Sequence, residues 1–408
     1  MKRRGRIRWK FRREVSTLFL RAAYALCLRP VEPTINWLYD RYSDRLVTVT
    51  KIHGAALGER VAVYLLYQPE GVSQVTFHTV EMLRRSGFSV VVVSNTKLSR
   101  NDIGQLSKNA AVILERPNYG LDFGGYRDAL LYLRDQQTPL RELLLLNDSV
   151  ICLCGDLHEF ISRIRHCAEE VISAVELRGG RSEAALLTSY FLFFRRDVLQ
   201  SPIFWEFWQC YQMANSRYTT VRRGERGLSR MVKTSEFSSR GMVSCEGFSA
   251  PDLDSLPITE LKRIIQYCAL TDEKFICQLE GLLGAAHWIP VDEVRCTFSE
   301  FIKQVSDRRS LVASFPYLAH VVLEMPIQKR GSTLLQRLAI CRFADAIDDC
   351  VVTGLGLEVA AEILSLKSRY EADPVVGPAY ARLAEVVWTD SLPKRRAKFS
   401  LTQSGKVN

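Results

Sequence analysis

The chain has 408 residues, a formal net charge of +10 and 11 cysteines. This length suits two or three folding units, and no run approaches the roughly 20 apolar residues that span a bilayer. The best candidate, residues 15–28, is interrupted by Arg21 and lacks the small-residue cleavage site of a secretory signal. We therefore expect a cytoplasmic protein.

Positive charge is concentrated at the two ends of the chain. Residues 1–13 carry eight basic side chains and residues 394–408 carry five, without any acid, so the stretch between has a net charge of −3. The small net charge of residues 14–393 argues against a nucleic-acid-binding face in this part of the chain. The cysteines form no CxxC pair, which is typical of reduced thiols. A metal site at Cys152, Cys154 and His158 would lack a fourth ligand.

The amino-terminal segment, residues 1–58, mixes its cations with Trp9, Phe11 and aliphatic side chains at helical spacing. This combination suits an anionic membrane surface. We predict a basic amphipathic arm or linker, with the protein peripheral at the inner face of the plasma membrane. The alternatives are a disordered arm and an arm that binds RNA.

Short apolar runs alternate with helix-length amphipathic stretches from residue 60 onward. Continuous apolar strands separated by helical crossovers are typical of a parallel sheet covered on both faces. Residues 59–258 are therefore predicted to form a doubly wound, mostly parallel α/β domain. The predicted strands are 61–67, 88–93, 110–114, 143–146, 171–175 and 190–194, and the predicted helices of this domain are 73–85, one from about 126 to 133, and an aromatic one over 197–212.

The pattern changes after the last predicted strand. Residues 213–258 are rich in Ser, Arg and Gly, and they predict a long, partly flexible region with one short helix near 225–233. Residues 259–393 predict a helical carboxyl-terminal region, and residues 394–408 a basic flexible tail. The helices predicted in the carboxyl-terminal region are 261–270, 272–283, 334–350, 359–370 and 379–387.

The strand at 143–146 stops on three polar residues, Asn147, Asp148 and Ser149. In open α/β sheets, ligands bind beyond the carboxyl ends of the parallel strands, so a carboxylate at Asp148 is well placed to act on a ligand. The alternative is that the three side chains cap the following turn.

A glycine-rich loop lies between the strand at 110–114 and the helix that follows. It contains Asn118, Gly120, Asp122, Gly124 and Gly125. Glycines let the backbone approach a ligand, and a helix amino terminus offers N–H groups to phosphate. Because the loop has neither a GxGxxG nor a Walker pattern, it does not predict a dinucleotide or ATP site. The alternative is a glycine-rich turn with an Asp cap.

Four motifs occur in one order along the chain. They are Asn-x-Gly-x-Asp-Phe-Gly at 118–124, Leu-Leu-Leu-Leu-Asn-Asp-Ser at 143–149, Ser-Tyr-Phe-Leu-Phe-Phe at 189–194 and Glu-x-Gly-Leu-Ser at 225–229. In these motifs, over about residues 60–250, the chain resembles the rhamnan synthesis protein F family. Its members are glycosyltransferase-like and are associated with rhamnose-containing bacterial cell-surface polysaccharides. The family in turn resembles glycosyltransferases of GT-A fold.

The resemblance implies a GT-A-like nucleotide-sugar domain and a metal-assisted transfer. The donor would be a nucleotide sugar, with dTDP-rhamnose expected, and the acceptor a growing cell-surface polysaccharide or lipid-linked glycan. Asp148 is similar in place to the carboxylate of the GT-A Asp-x-Asp motif, which holds Mg²⁺ or Mn²⁺ against the sugar diphosphate. Here Asn-Asp-Ser supplies one acid where many relatives of the fold have two.

The same resemblance implies roles for other residues. The loop from Asn118 to Gly125 would hold the diphosphate and the sugar, with Asn147 and Ser149 beside it. Glu225 resembles the acid that takes the proton from the acceptor hydroxyl, and its alternative is a Glu that caps a helix.

Tyr64, Gln68, Ser94 and Asn95 resemble positions that contact the base of the donor, although polar residues at strand ends often form turns. Two other functions stay open. One is a non-catalytic scaffold with the nucleotide-sugar fold that acts in polysaccharide assembly. The other is an RNA-binding accessory factor that acts through the basic ends.

Overall fold

A computed structural model describes residues 29–52, 57–153, 157–177, 186–244, 253, 255–285, 290–308 and 311–388. In these residues, a nine-stranded sheet with helices on both faces is followed by a largely helical carboxyl-terminal region. The predicted α/β class is confirmed. Most of the predicted basic arm, residues 1–28, and the tail at 394–408 lie outside the described residues. None of the described helices is long and apolar enough to cross a membrane.

The predicted strands all occur in the sheet, with ends that differ by one or two residues. The strands are β1 (Thr48–Lys51), β2 (Arg60–Leu66), β3 (Ser89–Ser94), β4 (Ala110–Glu115), β5 (Glu142–Asn147), β6 (Val150–Cys152), β7 (Val171–Leu177), β8 (Leu186–Leu187), β9 (Phe191–Arg195), β10 (Ser239–Ser244) and β11 (Ile327–Lys329). Across the sheet the order is β1-β4-β3-β2-β5-β9-β7-β10, and β8 pairs with β7. Strands β6 and β11 form a separate pair.

The strand order reverses next to β2. Strands β2, β3 and β4 are parallel neighbours in chain order, and the chain then crosses back to place β5, also parallel, on the other side of β2. Strand β9 is antiparallel to both β5 and β7. The carboxyl ends of β2 and β5 therefore flank a topological switch point, where open α/β sheets bind their ligands.

Strand β2 shows why the apolar runs are continuous. Ala62 and Tyr64 belong to the core on one face of the sheet, and Val61 and Val63 belong to the core on the other face. Because successive side chains of a strand point to opposite faces, a strand covered on both sides needs apolar residues at every position.

The helices of the sheet domain pack on both faces. They are α1 (Glu32–Arg41), α2 (Ser43–Leu46), α3 (Gln74–Arg85), α4 (Arg100–Leu106), α5 (Leu121–Asp135), α6 (Leu157–His166), α7 (Arg196–Gln200), α8 (Pro202–Cys210), α9 (Arg217–Thr220) and α10 (Arg226–Thr234). The predicted aromatic helix is divided into α7 and α8 because Pro202 begins a new helix. Trp208 of α8 is buried and stacks on Phe123 with ring centroids 5.7 Å apart, and the partly buried Trp205 and Phe207 pack against the same core.

The sheet begins earlier than the sequence predicts. Within the segment predicted to be an arm, β1 pairs antiparallel with β4, and α1 packs against the domain. The inward face of α1 is polar: Glu32, Asn36 and Tyr39 are buried. Asn36 donates to the carbonyl of Met213 at 3.0 Å and accepts from its N–H at 2.8 Å. An inward face held by hydrogen bonds produces no apolar periodicity for a sequence to reveal.

Residues 213–244 contain more regular structure than predicted. Helix α9 continues through a π-helical turn, Val221–Glu225, into α10. Strand β10 then pairs parallel with β7. The glycine that favours a loop prediction here, Gly241, is required by close approach, since a Cβ atom on it would lie 2.4 Å from the Cβ of Glu176.

The carboxyl-terminal region shares a core with the sheet. One cluster of buried side chains contains both Ala62 of β2 and Ile264 of the first helix of this region. Strand β11 pairs antiparallel with β6, directly after the polar end of β5. The helices of this region are α11 (Ile258–Gln266), α12 (Glu273–Ala285), α13 (Val291–Arg308), α14 (Leu311–Ser314), α15 (Leu334–Asp348), α16 (Leu357–Glu371) and α17 (Val376–Trp388), of which the sequence analysis misses α13 and α14.

Seven cysteines within the described residues have free thiols: Cys167, Cys210, Cys268, Cys277, Cys296, Cys341 and Cys350. Cys154, part of the trio considered for a metal, lies outside the described residues.

Two helical glycines differ in their surroundings, which gives a matched pair of substitutions. A Cβ atom on Gly124 of α5 would lie 2.2 Å from the carbonyl oxygen of Tyr119, whereas one on Gly104 of α4 would meet nothing within 4 Å. We expect Gly124→Ala to lower the free energy of unfolding by about 1–3 kcal/mol or more. Gly104→Ala should raise it by about 0.5–1 kcal/mol. Urea denaturation measures both, and a tolerated Gly124→Ala would contradict the packing described here.

Candidate functional site

Asp148 bridges the carboxyl ends of β2 and β5. Its Oδ2 accepts hydrogen bonds from the N–H of Tyr67 at 2.8 Å and from Nε2 of Gln68 at 3.1 Å, both just beyond β2. The turn after β5 is held by its neighbours instead, because Oδ1 of Asn147 accepts from the N–H and the hydroxyl of Ser149, at 3.2 and 2.5 Å. Asn147 and Ser149 therefore cap the turn, as the alternative interpretation predicts for them. Asp148 does not take part in this cap and lies at the switch point.

Asp122 lies beside this turn. Its Oδ2 accepts a hydrogen bond from Nδ2 of Asn147 at 3.1 Å, and its side chain does not cap α5, whose N-cap residue is Gly120. Burial, together with the negative charges of Asp148 and Glu225, raises the pKa of Asp122 to about 6. The carboxylates of Asp148 and Glu225, from two other motifs, thus both act on Asp122 at one edge of the sheet.

The pKa of Asp148 is also raised, because its carboxyl group is buried. The hydrogen bonds from Tyr67 and Gln68 and the positive charge of Arg330 act in the opposite direction. Carboxyl groups whose pKa is perturbed by burial are concentrated at functional sites.

Glu225 ends the π-helical turn that precedes α10. It occupies the N-cap position of α10, yet its side chain makes no capping hydrogen bond. Instead its Oε1 accepts a hydrogen bond from the hydroxyl of Ser189 at 2.6 Å. The side chain of Glu225 therefore does not cap α10, and the helix-capping alternative is wrong. Single π-helical turns occur frequently at functional sites.

Packing within the protein accounts for the glycines of the loop. Gly120 has φ +80°, a Cβ atom there would lie 2.8 Å from Met213, and its N–H donates to Oδ1 of Asn215 at 2.9 Å. A Cβ atom on Gly125 would lie 2.2 Å from a methyl group of Leu65. The role of Gly120, Gly124 and Gly125 in holding a diphosphate stays a prediction.

A buried arginine fixes the same loop from below. Arg116 pairs with Asp128 at 2.6 Å and donates to Oδ1 of Asn95 at 2.7 Å and to the carbonyl of Tyr119 at 2.5 Å. Nδ2 of Asn95 in turn donates to Oδ1 of Asn118 at 3.1 Å. Asn95 and Asn118, both predicted donor contacts, are thus brought together and hold the loop against β3.

Two predicted donor contacts have internal positions. Tyr64 is 2% exposed and packs in the core, and burial raises the pKa of its hydroxyl well above the usual value. Ser94 is fully buried, and its hydroxyl donates to the carbonyl of Thr96 at 2.7 Å. Ser94 therefore forms a turn, which is the alternative that the sequence left open. Contact between Tyr64 and the nucleotide-sugar donor would require the core to open.

Several side chains at this edge are not in the predicted site. Ser189 orients Glu225, and the charges of Arg217 and Lys329 act on Asp122. Lys329 belongs to β11 of the carboxyl-terminal region and is held next to β6. The available signal is weak: a Lys329-Arg330 pair in a short run between Pro326 and Gly331.

The carboxylates at this edge can be compared with the ligand sets of known metal sites. Among the residues that the structure describes, no group of three or more His, Cys, Asp or Glu side chains could hold a metal ion. Mg²⁺ is commonly held by one or two carboxylates together with substrate phosphates. Asp148 fits that role. The hydrogen bonds from Tyr67 and Gln68 both reach its Oδ2, so Oδ1 is the oxygen that could contact the cation.

A cavity of about 350 Å³ lies away from this edge. Glu59 and Arg141, which line it, precede β2 and β5, so it opens at the amino ends of the strands. Ligands of open α/β sheets bind at the opposite ends, and we therefore place the candidate site at the carboxyl edge.

The raised pKa of Asp122 predicts a pH dependence of stability. The folded-state pKa of about 6 lies above the ordinary Asp value of 3.8, so the folded protein binds this proton more tightly than the unfolded chain does. The free energy of unfolding should therefore fall as pH rises from about 4 to 6. Asp122→Asn should reduce this fall, because only the contribution of Asp148 remains, and it should make the protein more stable at pH 7 by on the order of 2 kcal/mol.

Urea denaturation between pH 4.5 and 8 measures the difference. Asp135→Asn, at the exposed end of the same helix, is the matched control and should follow the wild-type curve. Parallel curves for wild type and Asp122→Asn would contradict the assigned environment of Asp122.

The chain is similar to a curated protein over about half of its length. A curated relative, the uncharacterized protein y4gN of Sinorhizobium fredii (strain NBRC 101917 / NGR234), is 29% identical over 209 residues. The alignment covers 51% of this chain and 54% of that protein, so the chain spans about half of the relative's length.

A solved glycosyltransferase involved in the glycosylation of the major capsid of PBCV-1 is 11% identical, with a TM-score of 0.24, over 40% of this chain and 74% of that chain. This likeness is too weak to carry an argument.

The family comparison covers the core of the candidate site. The matched segment contains Asp122, Asp148 and Glu225, and it leaves out β2 and β11, which complete the edge around them. Residues 90–259 match the model of rhamnan synthesis protein F, the family that the four motifs indicate.

Proposed function

We propose that the protein is a glycosyltransferase that moves a sugar from a nucleotide-sugar donor to a growing cell-surface polysaccharide or lipid-linked glycan. The observation that carries this proposal is the convergence of Asp122, Asp148 and Glu225 at the switch-point edge. None of the three side chains is used to cap a helix or the turn after β5. The family match to rhamnan synthesis protein F supports the same substrate class, with dTDP-rhamnose as the first donor to test.

In this proposal Asp148 faces the diphosphate of the donor. Mg²⁺ or Mn²⁺, held by Asp148 and the diphosphate, would neutralise the charge that develops on the leaving group. The hydrogen bonds from Tyr67 and Gln68 keep the carboxylate of Asp148 between the ends of β2 and β5. A fixed carboxylate costs little reorganisation when charge develops, which is the basis of electrostatic preorganisation.

Glu225 takes the proton of the acceptor hydroxyl. As that oxygen bonds to the anomeric carbon, the bond from this carbon to the diphosphate oxygen breaks and the nucleoside diphosphate leaves. The hydroxyl of Ser189, 2.6 Å from Oε1, fixes the orientation of the carboxylate. A positioned general base of this kind contributes about 10²–10⁴ to the rate.

Two isosteric substitutions test this assignment. Asp148→Asn keeps an oxygen that can accept from Tyr67, and Glu225→Gln keeps one that can accept from Ser189, so both variants should fold. We expect each to lower sugar turnover by about 10²-fold or more. The measurement is transfer or hydrolysis of a panel of nucleotide sugars with and without Mn²⁺, and Asp135→Asn is the matched control.

Thermal stabilisation by the same panel gives a readout that does not need an acceptor. A donor that binds the native state raises stability by RT ln(1 + [L]/Kd), so even a weak donor is visible at high concentration. Wild-type turnover in both variants would remove the mechanism. A protein that is stabilised by no nucleotide sugar would instead favour the scaffold function.

We further propose that the protein works at an anionic membrane surface. Helix α1 buries Glu32, Asn36 and Tyr39 and exposes Ile35, Trp37 and Leu38. Together with the flanking apolar side chains Val31, Tyr42 and Leu46, these exposed residues form an outward stripe that is between 40% and 63% exposed. Exposed apolar patches of this kind mark interaction sites. The eight basic residues at positions 1–13 supply charge for anionic lipids.

Vesicle binding tests the outward stripe of α1. The double variant Ile35→Ser/Trp37→Ser should reduce partitioning to anionic vesicles roughly tenfold, since it removes apolar area from the contact. Deletion of residues 1–13 should make the remaining binding insensitive to salt. Leu357→Ser changes a residue that is 84% exposed on a different helix, and it is the control. Undiminished binding of the double variant would contradict the proposal.

A further inference from the structure

Lys329 has surroundings that are unusual for a lysine. Its Nζ lies 4.3 Å from the centroid of the Tyr190 ring. Among the described residues, no carboxylate oxygen lies within the 4.0 Å of an ion pair with it. Burial lowers its pKa, while the charges of Glu225 and Asp122 raise it. A partly buried ammonium group that lacks an ion-pair partner is costly unless an anion compensates it.

The backbone around Lys329 holds it firmly at the candidate site. Strand β11 pairs with β6 so that Lys329 lies opposite Val150, two residues after Asp148. The N–H of Arg330 donates to the carbonyl of Ser149 at 2.7 Å. The carboxyl-terminal region therefore delivers this cation to the edge where the carboxylates converge.

Charge balance gives Lys329 a specific task. A sugar diphosphate carries negative charge into an edge that already holds Asp122, Asp148 and Glu225. Arg330 is engaged by Glu362, and Arg217 is exposed at the rim, where it donates to the hydroxyl of Ser332. Of these three cations, Lys329 is the one at the edge that is neither paired with a carboxylate nor exposed.

Resting on the proposed function, we infer that Lys329 binds the diphosphate of the donor and stabilises it as it leaves. The ammonium group would donate to non-bridging phosphate oxygens, as point-charge lysines do in other phosphate sites. The helical carboxyl-terminal region then forms part of the donor site rather than a separate module. The competing role for Lys329 is structural, as a counter-charge for Asp122 and Glu225.

Calorimetric titration of the full chain with inorganic pyrophosphate in the presence of Mg²⁺ separates the two roles. Lys329→Met keeps the length of the side chain and the backbone pairing of β11, so it should fold. We expect it to weaken pyrophosphate binding about 10- to 100-fold. Lys329→Arg, which keeps the charge, should bind within a few-fold of wild type. Lys262→Met, on the exposed surface of α11, is the control and should be unchanged.

The outcomes separate this inference from the proposed function. Equal pyrophosphate affinity in wild type and Lys329→Met would overturn the inference, and sugar turnover by the wild type would then leave the proposed function intact. A lower melting temperature with unchanged affinity would assign Lys329 the structural role. A wild type that neither binds pyrophosphate nor turns over a nucleotide sugar would overturn both.

Discussion

The buried guanidinium of Arg116 is the interaction on which the candidate site depends. It joins Asp128 of α5, Asn95 at the end of β3 and the carbonyl of Tyr119 in the glycine-rich loop. Tyr39 of α1 shares the same carboxylate, at 2.6 Å. Because breaking a buried ion pair leaves an uncompensated charge, these elements are locked in one arrangement. The start of α5, and with it Asp122, takes its position from this lock.

The site combines carboxylates that disfavour one another. Asp122 and Asp148 both have raised pKa values because they are buried, and the charge of Asp148 raises the pKa of Asp122 further. Such an arrangement is unfavourable for the free protein and suits one that binds a cation or a proton during its work. Asn147 makes the arrangement possible, since its amide donates to Asp122 while its oxygen holds the turn at Ser149.

Local pattern predicted the sheet well, because its strands are covered on both faces and are therefore apolar at every position, as in Leu143 to Leu146. It also placed Asp148 at a strand end, since that position depends only on where the apolar run stops. Local pattern could not place α1, because the buried face of this helix is polar. It also could not show that close packing against Met213 and Leu65 is the reason for glycine at positions 120 and 125. Lys329 reaches the site through a three-residue strand, too short to carry a pattern.

The pairing of β6 with β11 has a consequence for the order in which the molecule is made. Lys329 lies opposite Val150, a partner 179 residues earlier in the chain. A ribosome releases the sheet and its three carboxylates long before it releases β11, and domains fold as their segments emerge. Until β11 emerges, the nascent chain contains the three acids of this edge and lacks its cation. Completion of the edge has to wait for β11, so the charge balance of the site reports that the carboxyl-terminal region has docked.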